Sequence, residues 1–148
     1  MIANATSCEI KNDSSAAANA ICETIQSVSA EARMLVGSFH DAAMEQFRIA
    51  CPRVATFMPL GEVRNFVIAA RLGLSRFIDT PAVAMQLPIE AEGIDLTHPR
   101  ILAAAKARGV RIQYWTINDP GEIRHLLDIG ADGLITDYVE RVGEFLIE

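Results

Sequence analysis

The sequence predicts an α/β fold on a parallel sheet, with six strands each followed by a helix. Three observations predict it. Short apolar runs of strand character alternate with helical runs along the whole chain. The last third reads as a βαβ unit: Trp115-Thr116-Ile117-Asn118 closes one strand, Asp119-Pro120 opens a helix, and Gly130 to Asp137 carries the next strand. No linker, low-complexity tract or composition break divides the 148 residues, so they read as one domain. Such alternation implies right-handed crossovers. It also puts the polar and aromatic residues of the last third at strand C-terminal ends, where α/β barrels hold their chemistry.

The elements follow in order. Thr6 to Lys11 reads as the first strand. Ser14 can cap a helix that carries Ala16, Ala20, Ile21 and Ile25 at helical spacing. Arg33 to Phe39 is a second strand. Asp41 can cap the next helix, with Met44, Phe47 and Ile49 as core candidates. Val54 to Met58 is a third strand. The helix from Glu62 to Leu72 sets Val63, Phe66, Val67 and Ala70 on one face and stops at Gly73. Ala82 to Leu87 is a fourth strand between two prolines. Thr97 can cap a helix ended by Gly109, and Val110 to Thr116 is a fifth strand. Asp119 caps a helix with Pro120 at its first position, and Gly130 ends it. Gly133 to Thr136 is the sixth strand, and Tyr138 to Ile147 a last helix.

Composition narrows the classes. Hydrophobic residues are 51% and charged residues 22%, ordinary for a globular domain. The net charge of -6 argues against nucleic acid or an anionic membrane as the main partner. No stretch approaches the ~18 apolar residues of a membrane span. Met1 to Cys8 has no basic and apolar leader pattern, so no signal peptide is expected. Cys8, Cys22 and Cys51 form an odd, widely spaced set without a CxxC pair. They read as three reduced thiols in a cytoplasmic protein. Asn4-Ala5-Thr6 and Asn12-Asp13-Ser14 match the N-glycosylation pattern, and without a secretory signal they read as chance.

Glu9 and Lys11 lie two apart, so they share one face of their strand, with Cys8 and Ile10 on the other. Two opposite charges directed into a barrel need to pair or to bind a ligand. A structural ion pair is the plainer of those readings. Trp115 is a core residue or an aromatic rim over a ligand, and Asp137 a helix cap or a site residue. His40 follows the second strand and can face the active side, whereas His98 and His125 read as surface residues. No Walker loop or GxGxxG occurs.

Taken together, these segments resemble the glycerophosphodiester phosphodiesterase family. Glu9-Ile10-Lys11-Asn12 resembles its EIK strand, and Ser38-Phe39 its SF strand end. The stretch from Thr97 to Asn118, with Gly109 and WTIN, resembles its helix, glycine and WTVN block. Gly130-Ala131-Asp132-Gly133-Leu134-Ile135-Thr136-Asp137 resembles its GVDGIITD ending. The order is the family's, and WTIN followed by GADGLITD carries most of the weight.

The resemblance implies a TIM-type barrel that hydrolyses glycerophosphodiesters to an alcohol and glycerol 3-phosphate with Mg2+ or Ca2+, in lipid metabolism. Glu9 would then be a metal ligand, and Lys11 would neutralise phosphate charge. Trp115 would pack on the glycerol portion, and Ser38, Phe39 and Asn118 would line the site. The family's His-Arg-Gly, Glu-x-Asp and His-Asp motifs are not in these residues. The barrel is therefore expected to be incomplete, about the last six of eight β/α units, and the isolated chain inactive. Exposed strand edges would favour self-association. A non-catalytic remnant that binds a phosphorylated ligand or a partner protein is the competing reading. A different phosphate-binding barrel is a third, and the lack of a glycine loop after the last strand argues against it.

Overall fold

A computed structural model describes residues 6–143. They form two compact units, one of residues up to Phe66 together with Asp79–Val83, the other of Val67–Ile78 and the residues from Ala84 onward.

The first unit holds three parallel strands in the order β1 (Thr6–Glu9), β2 (Met34–Gly37) and β3 (Ala55–Thr56). Each crossover is a helix, α1 (Ser15–Ser27) and then α2 (Asp41–Ala50), as parallel pairing requires. The edge of β3 is extended by Val83, whose N–H donates to Thr56 O. Ser14 caps α1 as its sequence predicts, its Oγ accepting from Ala17 N. The buried stripe of α1 is Ala18, Cys22 and Ile25; Ala16 and Ala20 face solvent. Ala43, Met44 and Phe47 of α2 meet this stripe together with Ile10 and Val36. Ile49 stays 69% exposed, because it falls off the 43–44–47 face.

Two expectations are corrected here. Cys22 and Cys51 form a disulfide, with Cα atoms 5.7 Å apart, and only Cys8 is a free thiol. The packing of α1 on the end of α2 makes that meeting, and spacing along the chain gave no hint of it. Asp41 is not the cap of α2. His40 holds the cap position, and the Asp41 carboxylate accepts from Gly61 N at 3.1 and 3.2 Å. Asp41 thus serves the N-terminus of α3 (Leu60–Arg71), where unpaired N–H groups favour an anion. A Cβ at Gly61 would come within 2.7 Å of the Asp41 Oδ1, so that close approach needs glycine.

The second unit holds β4 (Ala84–Leu87), β7 (Arg111–Tyr114) and β8 (Gly133–Leu134), parallel and in that order. Between β4 and β7 the chain makes an antiparallel hairpin of β5 (Glu90–Ala91) and β6 (Ile94–Asp95), absent from the sequence reading. It then forms α4 (Pro99–Ala107). Thr97 does not cap α4; the His98 Nδ1 accepts from Arg100 N instead. Thr97 donates its N–H and hydroxyl to the Asp95 Oδ1 at 2.8 and 2.6 Å. Those bonds, the hydroxyl's first, hold the Asp95 carboxyl below its ordinary value. Helix α5 (Pro120–Asp128) is capped as predicted, Asp119 accepting from Gly121 and Glu122 N–H. The predicted stops at Gly73, Gly109 and Gly130 all take positive φ, 73°, 68° and 90°.

Met85, Leu87, Ile112 and Tyr114 are buried, while Gln86 and Gln113 on the other face pair amide to amide at 3.1 Å. The Tyr114 hydroxyl donates to Leu96 O at 2.9 Å, and burial pushes its phenol up to about 12. The Asp132 Oδ2 accepts from Ile112 N while Asp132 N donates to Ile112 O, which sets the register of β8. Last comes α6 (Val139–Gly143); the rest of the helix expected to Ile147 lies outside the described residues.

Candidate functional site

The sequence-predicted site residues fall into two sets. The first gathers at the C-terminal ends of β1 and β2, which run side by side with Glu9 opposite Gly37. The chain continues past Glu9 with Ile10 N donating to Gly37 O, and Ile10 is buried. Glu9 and Lys11 therefore emerge on the opposite face, as alternation predicts. They meet: Lys11 Nζ lies 2.6 Å from Glu9 Oε2, with the side chains 75% and 35% exposed. Charges so open to water contribute little to stability, so the pair's interest is where it stands.

Ser38 is buried and its hydroxyl is committed. It donates to Ile10 O at 2.7 Å and accepts from His40 N at 3.0 Å. Ser38 ties the two strand ends together, and one lone pair is left for anything else. A His40 Nε2 contact to Lys11 O at 3.2 Å closes the same cluster. Phe39 beside them is 49% exposed. Five polar or aromatic side chains from two strand ends thus converge: Glu9, Lys11, Ser38, Phe39 and His40.

The second set lies at the C-terminal end of β7. Trp115 N donates to Leu87 O, and the Trp115–Thr116 peptide is cis. Trp115 is half-buried. Asn118 is a clamp. Its Oδ1 accepts from Thr136 Oγ1 and Asp137 N, both at 3.0 Å, and its Nδ2 donates to Asp137 Oδ2 at 2.9 Å. The Asn118 carbonyl accepts from Arg141, whose guanidinium also covers the Tyr138 ring at 4.0 Å. The WTIN and LITD segments are thereby locked together, the two motifs that carried most of the resemblance. Asp137 is engaged by Asn118, and Thr136 accepts from Tyr138 N near the start of α6.

A hard divalent ion takes about six or more oxygen ligands. Among the described residues no group of three His, Cys, Asp or Glu could hold a metal ion. One oxygen of Glu9, the carboxylate proposed by resemblance, is already held by Lys11. The donors described here do not by themselves fit Mg2+ or Ca2+. No helix of the described residues is long and apolar enough to cross a membrane.

Sequence reasoning missed the network that fixes α2, β3 and α3. The Arg48 guanidinium reaches Glu62, the Thr56 hydroxyl and Phe57 O, and Thr80 donates to Glu62. Arg48 and Glu62 are 14 residues apart, and nothing in the local pattern joins them.

Comparison with known proteins bears on the family and the fold. A model of the glycerophosphoryl diester phosphodiesterase family matches residues 2–141. A Mycobacterium tuberculosis protein named "Probable glycerophosphodiester phosphodiesterase 2" is 30% identical over 142 residues, 88% of this chain and 52% of that protein. This chain thus spans about half the length of that curated relative. Among solved structures, a glycerophosphodiester phosphodiesterase from Parabacteroides distasonis superposes with a TM-score of 0.72 at 17% identity, covering 96% of this chain and 57% of that one. An Oleispira antarctica phosphodiesterase in complex with sn-glycerol-3-phosphate superposes with a TM-score of 0.63 at 16% identity, covering 90% and 50%. At such identities the superpositions establish the fold alone, an α/β fold of the TIM-barrel type. A match over residues 2–141 takes in both strand-end clusters and helices α1 to α5, and the chain belongs to the glycerophosphoryl diester phosphodiesterase family.

Proposed function

We propose that this chain carries about the last six of eight β/α units of a barrel that hydrolyses glycerophosphodiesters to an alcohol and glycerol 3-phosphate, in lipid metabolism. The observation that carries the reading is the Glu9–Lys11 pair at the C-terminal end of β1, inside a family match over residues 2–141. Glu9 is in this reading one ligand of Mg2+ or Ca2+, the remaining oxygens coming from outside the described residues. A bound divalent ion would polarise a phosphoryl oxygen. Lys11, on a flexible stem, sets a positive charge against the phosphate in the transition state. Trp115 packs on the glycerol portion. Phe39 lines the β1–β2 end, and Ser38 and Asn118 hold their strand ends in position.

In this reading the chain by itself does not turn over substrate, because Glu9 supplies a single carboxylate, the His40 ring contacts Lys11 O and the His98 ring accepts from Arg100 N. The experiment is a phosphodiesterase assay of the purified chain with Mg2+ or Ca2+, beside glycerol 3-phosphate binding by calorimetry. Turnover abolished by Glu9→Ala would overturn the claim of inactivity. Binding of glycerol 3-phosphate without turnover, lost in Lys11→Ala, fits the second reading of a non-catalytic, phosphate-binding barrel remnant. The donor set, short of a metal site, favours that reading for the isolated chain.

Self-association through β1 and β8, the outer strands of their sheets, belongs to the same proposal. The cytoplasmic expectation rested on three thiols. The Cys22–Cys51 bond fits an oxidising compartment, and thiol titration of the native protein tests whether that bond is formed.

A further inference from the structure

We propose that the surface formed by residues 68–78 and α4 docks this protein on an anionic lipid surface. The proposal rests on that surface alone and stands apart from the hydrolytic reading. Ile68 and Leu72 are one helical turn apart, 47% and 66% exposed. After Gly73 the chain turns back, Leu74 N donating to Ala69 O, and runs into the 3-10 turn Ser75–Phe77. Leu74 and Phe77 are left 45% and 69% exposed. Single exposed apolar side chains are ordinary; four large ones within ten residues mark an interaction surface.

Charge accompanies them. Residues 67–78 and 96–118 contain no carboxylate, yet they hold Arg71, Arg76, Arg100, Lys106, Arg108 and Arg111, six of the 13 lysines and arginines. Three of these guanidiniums lie on the apolar segment itself. Arg100 donates to Arg71 O at 2.9 Å, and Arg108 donates to Arg76 O at 3.1 Å and to Ile78 O. Arg76 covers the Phe77 ring at 4.7 Å. The ion pairs of the described residues involve Lys11, Arg48 and Arg53, none of this group. Arg71 reaches Asp95 O at 3.4 Å, so the Asp95 carboxylate offsets part of its charge. None of the other cations of the group makes an ion pair among the described residues, and Arg76, Arg100 and Arg108 are anchored on the apolar segment.

Charge complementarity selects the occupant. Nucleic acid would use the arginines and leave the apolar side chains in water. An anionic bilayer uses both, phosphates meeting the guanidiniums while Leu72, Leu74 and Phe77 enter the headgroup boundary. The net charge of -6 does not govern this face, since exposed charges beyond about 10 Å are largely screened.

The test is cosedimentation of the full chain with phosphatidylcholine vesicles, with and without phosphatidylglycerol. Binding to the anionic vesicles only, weakening as salt rises, is expected. Arg71→Gln with Arg76→Gln should lower the partition coefficient about 25-fold, roughly fivefold per arginine. Leu72→Ser with Phe77→Ser should weaken binding at unchanged charge, with circular dichroism unaltered because both residues are exposed. No binding to anionic vesicles at low salt, or binding that neither double variant weakens, overturns the proposal. Self-association abolished by Leu72→Ser with Phe77→Ser, without vesicle binding by the native chain, would assign the face to a second copy and overturn it. Nucleic-acid binding that survives the same variant would also overturn it.

Discussion

Replacing Tyr114 with phenylalanine should make the protein weaker at neutral pH and stronger in alkali. The hydroxyl gives up one buried hydrogen bond, to Leu96 O at 2.9 Å. Such a bond is worth about 0.5–1.5 kcal/mol net, which sets the neutral cost. The phenol is fully buried, and burial raises it from 10.0 to about 12. Above the unfolded value the denatured chain releases the proton while the fold retains it. Stability from this group is therefore complete below about pH 10 and is lost as pH rises to about 12. Two units correspond to about 2–3 kcal/mol. Every other group titrates alike in both proteins, so the difference between them isolates Tyr114. With a neutral cost of about 1 kcal/mol, the two stabilities should cross between about pH 10.5 and 11. Urea unfolding of both proteins at a series of pH values measures this, and phenolate absorbance follows the residue directly. A stability difference that stays constant from neutral pH to about 12 would refute the burial argument.

Other perturbations test the parts around it. Reducing the Cys22–Cys51 bond, which closes a loop of sequence separation 29, should cost about 3–4 kcal/mol by the loop-entropy relation, read as a lower urea midpoint. An unchanged midpoint, with three thiols titrating before reduction, would show that the bond is not formed. Glu62→Ala strands the partly buried Arg48 guanidinium and the Thr80 hydroxyl and should cost about 2–3 kcal/mol. A cost within a few tenths would mean that water replaces the carboxylate. Thr97→Val removes the main donor holding the Asp95 carboxyl down. A carboxyl depressed in the fold contributes stability above its ordinary value of 3.8 and loses it as pH falls through the folded value. The variant's acid unfolding should therefore begin at higher pH, and identical acid limbs would contradict the assignment.

Much of the fold was legible because it is written locally. Ser14 and Asp119-Pro120 cap their helices where the spacing says, since a cap needs only its own first turn. Glu9 and Lys11 share a face because strand side chains alternate, and being two apart lets them pair. The motifs that resemble the family lie in order along the chain, and the family match spans them. Boundaries were less legible: the predicted strands ran a residue or more too far, because apolar runs continue past the last ladder bond. Where a helix's face was misjudged, as at Ile49, the error was one of phase, visible only once α1 lies against α2.

By itself, then, the sequence determined the alternation of strands and helices, their caps, and the polar side chains at strand C-terminal ends. Only the tertiary structure decided which distant groups meet. Cys22 finds Cys51 across 29 residues, Asp41 caps α3 rather than its own helix, and Arg48 finds Glu62. Ser38 likewise closes on Ile10 O, 28 residues away, so a residue expected to line the site also pins two strands together. Local periodicity reflects backbone geometry and reads straight from neighbouring residues. Partnerships across 14 to 29 residues depend on how packed elements turn toward one another, and no short window of sequence contains that information.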